Sequence, residues 1–313
     1  MQYLCNKTQW KDTEGIPIQC HGGMILEYQG TYYWYGENKA GKTSFLSGCN
    51  RVDFLGISCY SSTDLLHWKN EGIVLSPVQQ TKHDLHPSQV VERPRVLYHA
   101  DNQEFIMWLH IDRPDYTLAA AGLAVSSSPT GPFSYKGHFF PAERADTRDF
   151  TLFQEENGNA WLVHSSDWNK TLQFSRLTPD YKGFTGEYAR ALTDQSREAP
   201  AITCQNEKYY MVTSGCTGWA PNSALYAVSS HICSGWKLID NPCTGPDYRQ
   251  TFYGQGTCLF IAEEQLFWLI DHWNEHDLGA STYSILPVHI NGEYMEIPWQ
   301  DQFISPITKT RGA

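Results

Sequence analysis

Short apolar runs, rich in aromatic and β-branched side chains, alternate with polar turns along the chain, and none looks like a long helix. Five of these runs read as strands: 32–36 (YYWYG), 104–110 (EFIMWLH), 160–165 (AWLVHS), 208–214 (KYYMVTS) and 265–271 (QLFWLID). Four of them follow a local turn signal, namely Gln29-Gly30, Asp101-Asn102, Asn157-Gly158 and Asn206-Glu207. After four of the runs a second pattern returns, in which a strand ends in small polar residues, passes a turn and restarts with a ring. It is seen at 60–68 (YSSTDLLHW), 125–133 (VSSSPTGPF), 228–236 (VSSHICSGW) and, more loosely, 175–181 (SRLTPDY). A small polar turn closed by a bulky ring is what a tight outer hairpin requires.

A repeat of roughly 50 residues marks propeller-type architectures. Four polar residues stand at comparable places ahead of the apolar runs: Glu92, Asp149, Glu198 and Gln255, successively 57, 49 and 57 residues apart. The expectation is an all-β, five-bladed β-propeller of one domain spanning 1–313, with four strands per blade. Inner strands surround a central channel, so equivalent positions at their starts converge on one face. The first 14 or so residues are expected to pair with the segment near 293–303 and close the ring.

Composition narrows the partners. Lys and Arg number 23 against 34 Asp and Glu, and a net charge of -11 repels nucleic-acid backbones and anionic membranes. With 11 Trp and 18 Tyr, the chain has rings to stack on the apolar faces of sugars as well as to fill blades. No apolar run is long enough for a transmembrane helix. Met1 is followed by polar residues through Thr13 without the features of a secretory signal, which leaves localisation open: cytoplasmic if Met1 is the natural start, secreted if a signal was removed. Nine scattered cysteines with no CxxC pair read as mostly free, buried thiols. His272 and His276 lie on a strand and a loop, and His83 and His86 flank Asp84 in a polar loop; neither pair is expected to hold a metal.

Carboxylates drawn from different blades are the equipment for glycosidic bond hydrolysis, one group protonating the leaving oxygen while another activates water. Glu198, in Arg197-Glu198-Ala199-Pro200, is the candidate acid, its pKa raised by an ionised Asp149. Arg148 and Arg197 alternate away from the carboxylates that follow them and brace their surroundings.

These residues resemble glycoside hydrolase family 43, and within it the exo-β-1,3-galactanases. The resemblance rests on Trp10-Lys11-Asp12-Thr13, His21-Gly22-Gly23 with residues 32–37, residues 60–68, Glu92-Arg93-Pro94, Arg148-Asp149, Arg197-Glu198-Ala199-Pro200, Thr217-Gly218-Trp219-Ala220-Pro221-Asn222 and residues 251–255. It implies an inverting exo-hydrolase acting on β-1,3-galactan or arabinogalactan oligosaccharides. Glu198 is then the acid and Asp149 the group that tunes and orients it. His21-Gly22-Gly23 stands where most of the family has its base, an Asp. By resemblance Gln255 faces the attacking water, although an amide is far too weakly basic to take a proton near pH 7. It positions the water or acts through its imidic tautomer, with Glu92 the conventional alternative; our reading is that Glu92 binds sugar hydroxyls. Glu37, Tyr116, Thr217, Trp219 and Asn222 resemble contacts to the terminal sugar, Trp219 as a stacking platform. No cofactor is implied, although some propellers of the family hold a channel calcium ion. The alternatives are an α-L-arabinofuranosidase or β-galactofuranosidase of a related subfamily, and a non-catalytic sugar-binding propeller.

Overall fold

All five expected runs are strands, and each is the second of its sheet: Thr31–Glu37, Glu104–Asp112, Ala160–Ser166, Lys208–Gly215 and Gln265–His272. The computed structural model describes residues 2–46 and 48–307. These second strands are buried on both faces, so they read as continuous apolar runs. Trp34 and Tyr35 are neighbours on one strand and both fully buried, Trp34 in the apolar cluster on one side of the sheet and Tyr35 in the cluster on the other. Four further clusters of this kind, counting the Tyr35 one, separate successive sheets around the molecule.

Ahead of each second strand lies an antiparallel first strand: His21–Tyr28, Val90–His99, Phe150–Gln154, Arg197–Gln205 and Gln255–Ala262. Each of these first strands packs against the next, and the last returns to the first, so that they surround a common axis. This is a β-propeller arrangement.

Six sheets of three or more strands are present among the described residues, one more than expected. Four have four strands, and the sheet built on Gln265–His272 stops at three, ending at Pro287. Beyond that proline the chain folds a separate hairpin, His289–Asn291 with Tyr294–Pro298, which pairs in parallel with Cys243–Thr244 from the preceding connection and makes the additional sheet. A further small hairpin, Ser44–Leu46 with Cys49–Arg51, is inserted within the first sheet.

The two ends of the described chain meet. Leu4–Cys5 pairs antiparallel with Gln302–Phe303, as expected from the ring-closing reading. Asn6, buried beside that pair, donates from Nδ2 to Gln300 O (2.9 Å) and Ile285 O (3.2 Å) and accepts from Ile285 N (3.0 Å). One amide thus ties three stretches of backbone. No helix among the described residues is long and apolar enough to cross a membrane.

Candidate active site

The polar residues at the blade starts belong to the first strands, which the sequence pattern did not show as strands. Glu92 and Glu198 are near the beginnings of theirs, Gln255 opens its own, and Asp149 directly precedes Phe150–Gln154. The ladders slip at these points, between Glu92 and Arg95, between Glu198 and Ala201, between His21 and Met24 and between Gly256 and Cys258. A β-bulge re-aims side chains. The residue after the site position takes a left-handed backbone in three cases: Gly22 (φ 57°), Arg93 (φ 52°) and Ala199 (φ 48°). Only Gly22 does so without steric conflict, and it also leaves no room for a side chain against the Glu37 carboxylate. At Arg93 and Ala199 the strain is held by burial on all sides.

The bulges turn these side chains into one cavity of about 250 Å³, whose wall includes Glu37, Glu92, Arg93, Asp149, Glu198 and Gln255. Arg93 is its hub. Nε and Nη2 form a bidentate pair with Asp149 Oδ1 (3.1 Å) and Oδ2 (2.8 Å), and Nη2 also donates to Gln255 Oε1 (2.7 Å). Its backbone N–H donates to Glu37 Oε1 (3.1 Å), while Lys39 Nζ holds Glu37 Oε2 (2.7 Å). Buried charges of opposite sign are therefore paired throughout this wall.

Gln255 is constrained at both ends of its amide. Oε1 accepts from Arg93 and from Trp273 Nε1 (3.1 Å), and Nε2 donates to Glu198 Oε1 (3.1 Å) and Ser214 Oγ (2.9 Å). Arg and Trp only donate, so the oxygen end of the amide faces them and the nitrogen end faces Glu198 and Ser214.

Glu198 and Glu92 have opposite electrostatics. Burial, and then repulsion from Asp149, push Glu198 up to about 8 in spite of the nearby Arg93. The sequence reading credited Asp149 alone; loss of solvation is the larger cause. Asn169 Nδ2 donates to the second Glu198 oxygen (3.2 Å). Burial would also raise Glu92, but the hydrogen bond and charge of His110, followed by Lys39 and Arg93, bring it down to about 2. His110 Nδ1 lies 3.2 Å from Glu92 Oε2 and Nε2 3.1 Å from Asp112 Oδ2. Burial opposes its charge, yet the two carboxylates raise it to about 9, so both ring nitrogens carry protons. Tyr116 O–H donates to Glu92 Oε1 (3.1 Å). One carboxyl is held neutral and another ionised in the same cavity, the arrangement that separates acid from anionic roles.

The family model for glycosyl hydrolases family 43 matches residues 17–285. The chain belongs to that family. Among solved structures it is similar to a GH43 β-1,3-galactosidase crystallised with galactodeoxynojirimycin, at 34% identity and a TM-score of 0.89, over 95% of this chain and 99% of that one. An exo-β-1,3-galactanase from Phanerochaete chrysosporium, solved with β-1,3-galactotriose, gives 30% identity and a TM-score of 0.88 over 96% of this chain and 68% of that one. An exo-β-1,3-galactanase from Clostridium thermocellum gives 33% and 0.85 over 96% and 66%. No curated protein sequence matches the chain.

In this family 43 chain, His21 occupies the first-sheet position away from the cavity wall. It is fully buried, with Nδ1 3.2 Å from Asp271 Oδ1 and Nε2 3.1 Å from Tyr283 Oη. Glu37, Tyr116 and Trp219 line the cavity, Trp219 anchored by Nε1 to Asn50 O (2.9 Å) and set edge-on to Trp273. Thr217 and Asn222 do not line it. Thr217 Oγ1 donates to Ala220 O (2.6 Å), and Asn222 bonds Thr217 Oγ1 and the backbone of Gly215, so both shape the loop that presents Trp219. Arg197 and Arg148 brace their surroundings, Arg197 on Thr213 and Ser223, Arg148 on Asp146 and Tyr116 O. His272 is buried against Ser284 Oγ (2.7 Å) and His276 is exposed, while His83 packs by Tyr135 and Asp84 bonds Tyr135 and His138.

Arg93, Lys39, His110, Asn169 and Trp273 line the cavity as well and were not singled out from the sequence. Arg93 follows Glu92, and in a regular strand the two would face opposite sides. The bulge cancels that alternation, and the Glu-Arg-Pro motif was the only local sign of it. Trp273, between His272 and the acidic loop after it, drew less notice than the histidines.

Proposed function

We propose that the chain is an inverting exo-hydrolase that releases galactose from β-1,3-galactan, with a β-1,3-linked galactooligosaccharide as its partner. The observation that carries this reading is Glu198, still protonated at neutral pH, bonded to Gln255 and repelled by Asp149 within one cavity. The named activities of the similar structures, at 30–34% identity over nearly the whole chain, supply the sugar. The cavity is smaller than the roughly 300–1,000 Å³ of a drug-sized pocket, which suits one terminal ring. Arg93 Nη1 and Asn169 Oδ1 are buried with no hydrogen-bond partner among the described residues, a demand that sugar hydroxyls would meet.

In this reading Glu198 gives its proton to the glycosidic oxygen as the bond to the sugar carbon breaks. Gln255 Oε1 positions the attacking water, displacing one of its two donors. As the water attacks and Glu198 becomes a carboxylate, the water's proton can pass to Oε1 while the Nε2 proton passes to Glu198, which restores the acid and leaves Gln255 as the imidic tautomer. Gln255 returns to the amide by losing the Oε1 proton to water and regaining one on Nε2. Burial, and then Asp149 fixed by Arg93, keep Glu198 protonated. Glu92, ionised and held by His110 and Tyr116, binds sugar hydroxyls, as does Glu37, while Trp219 stacks on the face of the terminal ring. Thr217 and Asn222 act through the loop.

The same reading treats residues 1–313 as one propeller of five blades, with the additional sheet as the outer edge of the last. Support comes from the five mutually packed first strands. It calls for no cofactor. In support, the fully buried Arg95 guanidinium already donates to two carbonyls of the first strands, Gly22 O and Thr257 O, each at 2.8 Å, which a channel cation would otherwise use.

Incubation with linear β-1,3-galactan and, separately, with an α-L-arabinofuranoside tests the proposal. Chromatography is expected to show galactose from the first and nothing from the second. Arabinose alone would contradict it.

A further inference from the structure

His110 and Asp112, two residues with no part in the chemistry so far, close a circuit around Glu92. His110 stands opposite Glu92 in the ladder between Val90–His99 and Glu104–Asp112, and only 2% of it is exposed. Its ring lies between two carboxylates, Nδ1 on Glu92 Oε2 and Nε2 on Asp112 Oδ2, and an ionised carboxylate only accepts. To satisfy both, the ring has to donate from both nitrogens, as the imidazolium.

Asp112, also buried, works in two directions. Oδ2 meets the ring, while Oδ1 accepts from Arg113 N and Leu118 N, each at 2.8 Å, at the two ends of the loop that carries Tyr116. Tyr116 has a left-handed backbone (φ 56°), and Arg148, 3.7 Å from Asp112 Oδ2, donates to its carbonyl (3.3 Å). Tyr116 O–H then returns to Glu92 Oε1. One buried carboxylate thus holds both groups that hold Glu92, one on each of its oxygens. A side chain pinned at both oxygens has its direction fixed before a ligand arrives.

The charges around this circuit decide how it responds to pH. Lys39 and Arg93 also act on Glu92, Glu37 pairs with Lys39, and the Cys49 thiol lies beside Tyr116. Burial pushes Tyr116 and Cys49 up, and Lys39 rises through the charge of Glu37 although burial opposes it. His110, at about 9, is therefore the first member of the circuit to lose its charge as pH rises. A neutral ring leaves one of its two carboxylates facing a lone pair.

We propose that Asp112 and His110 are positioning residues for sugar binding, which hold the Glu92 carboxylate toward the hydroxyls of the terminal sugar and release that grip when the imidazolium loses a proton. The inference rests on the reading of Glu92 as a hydroxyl-binding group.

The test measures the Kd of β-1,3-galactobiose by calorimetry from pH 7 to pH 10 in Glu198→Gln, where cleavage is slow and the acid's own titration is absent. Kd is expected to hold steady to about pH 8 and to rise about tenfold by pH 10, with circular dichroism unchanged. Asp112→Asn in that background takes one counter-ion from the imidazolium, so the rise should begin at lower pH. His110→Asn should weaken binding already at pH 7 and remove the rise. A Kd flat to pH 10, or an onset that Asp112→Asn does not move, overturns the inference. Should the double variants not fold, the ring carbons of His110 followed by NMR in the wild type decide: titration near pH 9 is expected, and a ring that loses its charge below pH 7 overturns the inference. An unchanged Kd in Glu92→Gln at pH 7 would strike the reading of Glu92 itself, and the inference with it.

Discussion

Glu198 keeps its proton to about pH 8 because folding removes it from water and places it by Asp149, whose own charge is neutralised by a bidentate arginine. If it is the acid, kcat/KM falls as pH rises through about 8. Glu198→Gln should lose about 10²–10⁴ of the rate together with that alkaline limb. The same shift bears on stability. The folded state holds a proton that the unfolded chain has released above its usual carboxylate pKa, so stability declines as pH rises from there to about 8. Glu198→Gln, which removes that liability, should unfold at a higher temperature than the wild type at pH 8 and near parity at pH 4, as thermal melts would show. The roles of Gln255 and Glu92 separate kinetically. Gln255→Ala should lower kcat by about a hundredfold or more with KM little changed, whereas Glu92→Gln should mainly raise KM. Full activity in Gln255→Ala, with Glu92→Gln inactive at unaltered binding, would exchange the roles. At this scale the meeting of Glu198, Asp149 and Gln255 in one cavity was legible because each stands at the same place in a repeat. Arg93, their common contact, was not, since its direction depends on a backbone angle that no residue type at that position announces.

The bulged start of each first strand is the element that makes a site out of a repeat. Along Arg197–Gln205 the pairing is regular from Ala201 onward and broken between Glu198 and Ala201, and this break aims the Glu198 carboxyl at Gln255. Ala199 there is buried with φ 48°, a conformation that β-branched side chains resist. Ala199→Val is expected to destabilise by about 1–3 kcal/mol and to lower kcat more than KM, as denaturation and steady-state kinetics would show. Retention of both stability and rate would mean that the bulge does not position Glu198. Second strands were readable from sequence because both faces are buried. The first strands were not: two of them carry charged residues and a proline near their starts, Glu92-Arg93-Pro94 and Arg197-Glu198-Ala199-Pro200, and a third opens on Gln255, so their beginnings imitate a loop.

Across the whole molecule, the ring of packed sheets brings residues separated by up to 236 positions in sequence, Glu37 and Trp273, to one cavity. The repeat spacing foretold this convergence, and the need to close a ring of blades foretold the pairing of the two ends. The sheet count was not foretold, because it turns on Pro287 ending a strand early and on a long-range parallel pairing with Cys243–Thr244, neither of which has a periodic signal. The proposed mechanism makes a single stereochemical demand: if acid and water act from opposite faces of the terminal sugar, the configuration at the attacked carbon inverts. The direct measurement is proton NMR of linear β-1,3-galactan recorded from the first minutes of digestion, before the released sugar mutarotates. The account predicts α-galactose as the first product signal. β-Galactose as the first signal, or no galactose at all, would contradict it.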